Sequence, residues 1–177
     1  MEFLYVFVYK LGKMQTTLSS FPPTIILRHR KENLKKCSLR GLETREDLLF
    51  FTYPKDSLPD LSGYLLLTLD APMLTEADRD KGLFLIDGTW KYTQVMQRQL
   101  VRPYRFAMRS LPPSCVTAYP RHQEDPRGLA SVEALYAAYC ITQKDPAGLL
   151  DHYHWREEFI AKNPFKAENR AIRILTC

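Results

Sequence analysis

Leu83-Phe84-Leu85-Ile86-Asp87-Gly88-Thr89-Trp90 is an apolar run that stops on a carboxylate and then turns. Four successive apolar side chains suit a strand buried on both faces, as in a parallel sheet. Asp87 then stands at its carboxyl end, the place where open α/β sheets bind their ligands. An acid, a glycine and an indole at that corner are candidates for a site. Asp87 suits three roles there: a base, an orienting acceptor, or a carboxylate satisfied by backbone N–H groups of the turn. Trp90 suits core packing and the stacking of a flat base equally.

The segments around this corner alternate between strand and helix signals. Thr24 to Leu27 is a β-branched and aliphatic run that opens into the basic stretch Arg28 to Ser38. That stretch reads either as a solvated face or as a surface for phosphates. Leu48 to Tyr53 and Tyr64 to Leu69 are strand-like, with a Pro-rich connector between them. Thr75 and Asp78 resemble a capping box, predicting a short helix or turn over 76–81. Beyond Trp90, the positions Tyr92, Val95, Met96 and Leu100 fall at helical spacing, followed by a Pro103-interrupted strand-like segment from Tyr104 to Met108. Ser114 to Ala118 reads as one more short strand. Val132, Leu135, Tyr136, Tyr139 and Cys140 form the best amphipathic pattern in the chain. Asp145-Pro146 predicts the start of a last long helix that Asn163-Pro164 ends. Together these segments predict an α/β fold.

The chain of 177 residues fits one domain, 23-177, after an extension, 1-22, that contains a second possible initiator at Met14. The expected division within it is an N-terminal part, 23-82, and a cofactor-binding part, 83-165. The apolar run from Phe3 to Tyr9 is too short to span a bilayer and lacks the flanks of a signal peptide, so no membrane partner is expected. A net charge of +5 favours polyanions, RNA among them. Cys37, Cys115, Cys140 and Cys177 include no CxxC pair, which predicts reduced thiols, a cytoplasmic setting and no zinc knuckle. His152 and His154, two apart, point in different directions on a helix and cannot share a metal. The absence of a Gly-rich phosphate loop, a GxSxG elbow and an HExxH motif argues against nucleotide hydrolysis, α/β-hydrolase and zinc-protease chemistry.

Asp87-Gly88-Thr89-Trp90 and Leu129-Ala130-Ser131-Val132-Glu133-Ala134 together resemble the paired motifs of the DTW-domain and ribosome-maturation aminocarboxypropyltransferase superfamily. Lys35-Lys36-Cys37-Ser38, Ala77-Asp78-Arg79, Leu111-Pro112-Pro113, Ala118-Tyr119-Pro120 and the Trp155-x3-Phe159-x3-Asn163 spacing resemble its small-subunit rRNA branch. Ile25 to Glu32, with Gly88 and Thr89, is closer to the tRNA-uridine DTW branch. Ala130 and Tyr119 depart from the family's serine and asparagine.

The resemblance implies a SPOUT-like α/β sheet with a C-terminal trefoil knot and flanking helices, with S-adenosylmethionine as cofactor. It implies transfer of the 3-amino-3-carboxypropyl group to a uridine or pseudouridine-type base, of rRNA before tRNA. A methyltransferase of the same fold and a non-catalytic RNA-binding or ribosome-assembly factor are the rivals. By position, Trp90 with Leu69 and Pro72 would pack the adenine, and the backbone around Leu111, Tyr119 and Leu129 would hold ribose and base. Ser38 and Ser131 would stand near the amino-acid arm, and Asp87 would be the catalytic group that orients or deprotonates the ring nitrogen. Arg28, Arg30, Lys35, Lys36, Lys91, Arg98, Arg102 and Arg105 would meet the RNA. No metal is expected, and no oligomeric state follows; a monomer is compatible with every motif.

Overall fold

The computed structural model describes residues 21–104, 107–120 and 125–165, with the side chains of Arg102 and Pro103 left out. The N-terminal segment with Met14, Arg105 and Cys177 lie outside the described residues. Five strands form one sheet: β1 (Thr24–His29), β2 (Leu48–Tyr53), β3 (Tyr64–Leu67), β4 (Gly82–Asp87) and β5 (Ala107–Arg109). Their order is β2-β1-β4-β3-β5, and every pairing is parallel.

Alternation along the strands sends side chains to two cores. Ile25, Leu27, Leu66 and Phe84 face one side, where they meet Met96 and Leu100 of α1 (Trp90–Tyr104). Ile26, Leu65, Leu83 and Leu85 face the other, against Val132, Leu135, Ala138 and Tyr139 of α2 (Ser131–Ile141) and Phe159 of α3 (Arg156–Lys162). Covered faces explain why β4 reads as an unbroken apolar run.

The connections after β1 and β4 leave in opposite directions along the sheet, to β2 on one side and towards β5 on the other. Arg28 and Asp87 are register partners at the carboxyl ends of these two central strands. That is the switch point at which ligands enter such sheets.

Several expectations need correction. The described residues form an open, all-parallel α/β sheet, and this strand order replaces the SPOUT-like sheet with a trefoil knot. Residues 114–120 form no strand. The backbone of Val116 pairs instead with the Asn163 amide, whose Oδ1 accepts from its N–H at 2.7 Å and whose Nδ2 donates to its carbonyl at 2.7 Å. The amide supplies the hydrogen bonds of an absent neighbouring strand. The expected long helix from Asp145 is a series of turns followed by the seven-residue α3. Gly148 breaks it by adopting a left-handed φ of +78°. Helix α1 runs on through Pro103 to Tyr104, so the strand-like segment shrinks to β5.

Candidate active-site cleft

An open cleft of about 960 Å³ lies at the carboxyl ends of the strands, within the range of small-molecule sites. It is lined by Trp90, Leu69, Leu111, Tyr119, Leu129, Ser131 and Ser38, together with Asp87, Gly88 and Thr89. Of the residues expected to hold a cofactor, Pro72 stands apart. It is exposed, and only its carbonyl contributes, accepting the Ser110 N–H at 2.9 Å on the wall of the cleft.

Asp87 is the hub of the floor. It is 3% exposed, and its oxygens accept from Ser131 Oγ at 2.7 Å, Arg28 Nε at 2.8 Å and Cys37 Sγ at 3.4 Å. Three side-chain donors occupy most of a carboxylate's acceptor capacity. The orienting role therefore fits the geometry better than that of a free base, with side chains in place of turn N–H groups. Burial, and after it the Asp87 charge, pushes the Cys37 thiol up to about 12, so Cys37 serves as a donor and is not poised as a nucleophile.

Arg28, expected to contact RNA, is buried at 8% exposure. Its Nη1 donates to Glu43 Oε1 at 2.9 Å and its guanidinium lies 4.7 Å from the Phe50 ring centroid. Nη2 is buried without a hydrogen-bond partner. Asp87 and Glu43 therefore carry the compensation of a buried charge. The basic stretch read from the sequence hid this partner, because a strand-end arginine looks the same whether it faces solvent or the next strand. Of the other expected RNA contacts, Arg30, Lys35, Lys36, Lys91 and Arg98 are exposed, and Lys36 also lines the cleft. The Arg102 side chain and Arg105 are outside the description.

The first turn of α2 forms one wall. Its N-cap is Ala130, which has no side-chain acceptor for the free N–H groups of the turn. Ser38, from the loop after β1, accepts the Val132 N–H at 3.3 Å in its place. Glu133 reaches back to the Ala130 N–H at 2.8 Å, which is half of a capping box. Restoring the missing half by Ala130→Ser should raise unfolding stability by about 1 kcal/mol. Urea denaturation checks this, and an unchanged midpoint would show that Ser38 already satisfies the turn.

The loop carrying Tyr119 is fixed from behind. Trp155 packs edge-on against Tyr119 with centroids 4.9 Å apart, Phe159 is wholly buried, and Asn163 holds Val116. This gives the Trp155-x3-Phe159-x3-Asn163 spacing a physical purpose as a brace for the cleft wall. At the rim, Arg127 pairs with Asp125 at 2.6 Å and with Asp70 at 3.0 Å, joining two loops on either side of the opening. Arg109 of β5 is bound to Asp78 at 3.0 Å. Among the described residues, no group of three metal-ligating side chains is close enough to hold an ion. No helix among them is long and apolar enough to cross a membrane.

An α/β sheet with a ligand cleft at its switch point, walled by an indole and a helix N-terminus, defines a class of small-ligand-binding proteins. The chain belongs to the family described as ribosome biogenesis protein, C-terminal, which matches residues 67–169. A solved structure, that of the SAM-dependent rRNA:acp-transferase Tsr3 from Vulcanisaeta distributa, is similar to it. The TM-score is 0.66 at 29% identity, covering 81% of this chain and 79% of that one. No curated protein matches the chain.

Proposed function

We propose that this protein transfers the 3-amino-3-carboxypropyl group of S-adenosylmethionine to a uridine or pseudouridine-type base of rRNA. The observation that carries this reading is the cleft itself. It gathers Trp90, Leu69, Leu111, Tyr119, Leu129, Ser131 and Ser38 from separate parts of the chain. The similarity to the archaeal Tsr3 supports it. The Asp87-Gly88-Thr89-Trp90 motif supports a kinship with DTW-domain proteins.

The residues fit such a cofactor by their chemistry. Trp90 with Leu69 offers a flat apolar wall for a purine. The Ser131 hydroxyl donates its proton to Asp87, so its oxygen is left to accept from an ammonium group. When bound, the sulfonium supplies an activated methylene carbon and a neutral thioether leaving group. The protein then has to align the two reactants, which is where rigid walls matter. Asp87 holds Ser131 in place, and the exposed cations beside the cleft would neutralise RNA phosphates. We further propose that residues from 23 onward act as one domain in the cytoplasm, since the cleft draws Glu32, Lys36, Cys37, Ser38 and residues 67–71 from the N-terminal part and the remainder from beyond it.

Incubation with carboxyl-labelled and, separately, methyl-labelled S-adenosylmethionine and total RNA tests the reading. Label should enter small-subunit rRNA from the carboxyl group alone. Methyl label in RNA would indicate a methyltransferase, carboxyl label in tRNA a different substrate, and no label a binding factor.

A further inference from the structure

The carboxyl edge of the sheet carries a second constellation beside the cleft. His29, the last residue of β1, stacks on Tyr92 of α1 with 4.0 Å between ring centroids and 12° between planes. It also faces Tyr53, the last residue of β2, at 6.0 Å and 29°. The Lys31 ammonium lies 5.8 Å from the Tyr92 centroid. All three rings are half-buried, so they show part of their surface to solvent.

This ladder adjoins the cleft. A Cβ placed on Gly88 would lie 3.2 Å from His29 Cβ and 3.8 Å from Tyr92 Cβ, and Gly88 itself lines the cleft. The loop that leaves His29 returns to the cleft at Glu32 and Lys36. Arg30, Lys31, Lys35 and Lys36 along it are exposed, and Glu32 is the one acid between residues 28 and 38. Burial, with the charges of Lys31 and Arg30, holds the His29 imidazole below its ordinary value, which favours the neutral ring.

We propose that the Tyr53–His29–Tyr92 ladder and the loop 30–36 form a docking site for single-stranded RNA, on which a base flanking the target nucleotide stacks. Stacked rings beside a line of cations are the two components of sequence-tolerant single-strand binding. A strand held there enters the cleft past Lys36. The site rests on the RNA reading above and deepens it, since it makes the substrate an unpaired segment and excludes a continuous duplex.

The test is binding of a labelled 12-nucleotide oligouridylate containing 5-iodouridine to the full chain. Tyr92→Leu and His29→Leu should each weaken binding about fivefold or more, with the salt dependence unchanged, while Tyr92→Phe stays within about twofold. Lys35→Ala should instead flatten the salt slope by about 0.7. Irradiation of the unaltered chain should crosslink the oligonucleotide to His29, Tyr53 or Tyr92. Crosslinks confined to other elements overturn the site even if a variant fails to fold, as does unchanged binding by folded Tyr92→Leu and His29→Leu. Parallel measurement of carboxyl-label transfer separates the two readings. Ladder-dependent binding without transfer overturns the reaction and leaves the docking site standing; transfer with ladder-independent binding overturns the docking site alone.

Discussion

Glu133→Gln should lower unfolding stability by about 3 kcal/mol, because the substitution turns a shared acceptor into a clash of donors. Glu133 is fully buried. Oε1 accepts from the Ala118 N–H and the Tyr153 hydroxyl, both at 2.8 Å, and Oε2 from the Thr117 hydroxyl at 2.6 Å and the Ala130 N–H at 2.8 Å. Each oxygen therefore takes one hydroxyl, which can reverse its role, and one backbone N–H, which cannot. A glutamine amide, whichever way it is turned, sets its NH2 against a backbone N–H, leaving a buried donor without an acceptor. For a chain of this size such a loss corresponds to a fall in Tm of roughly 6–12 °C. Urea unfolding with an unchanged slope would report it cleanly. A Glu133→Gln midpoint within experimental error of the parent would mean that water reaches the site. The loss should also carry into the cleft, since Glu133 ties the Thr117–Ala118 segment, next to Tyr119, to the first turn of α2.

Glu133 illustrates what the sequence makes legible and what it hides. The motif Leu129 to Ala134 is visible as a helix start, and an acid three residues after an N-cap has a known local use. Its other three donors come from a loop and a turn far along the chain, which no periodicity relates. The same holds for strands and cores. The apolar run of β4 announces a doubly covered parallel strand and places Asp87 at its end, as the sheet shows. Residues 114–118 carry strand-like composition, but strand formation depends on a neighbour, and an asparagine side chain has taken that neighbour's place. The long C-terminal helix fails at Gly148, a breaker visible in the sequence but outweighed there by the N-cap and proline before it. The knot came from resemblance alone, and the sheet order does not provide it. For Arg28 the one-dimensional signal was charge density, while the decisive fact is register: it stands beside Asp87 across two parallel strands.

That register sets the second large expectation. Asp87→Asn should destabilise the chain by roughly 3–5 kcal/mol, since it leaves a buried guanidinium with Glu43 as its remaining carboxylate partner. Arg28→Met should cost a similar amount, because methionine fills similar apolar volume but leaves the Asp87 carboxylate buried without its cation. The double variant Arg28→Met/Asp87→Asn should then be more stable than the sum of the two single losses implies, with a coupling of about 1–3 kcal/mol in a double-mutant cycle. Catalysis separates the two roles that geometry leaves for Asp87. An orienting acceptor needs its own position fixed, so both single variants should lose turnover, on the order of 10²-fold for a misplacement near 1 Å. A general base would behave differently: Arg28→Met would retain the carboxylate that takes the proton, so turnover would survive in that variant and be lost in Asp87→Asn alone. Turnover of folded Arg28→Met measured beside folded Asp87→Asn therefore decides the question. Loss of turnover in both supports positioning of Ser131 through Asp87; turnover kept by Arg28→Met and lost in Asp87→Asn would make Asp87 the base.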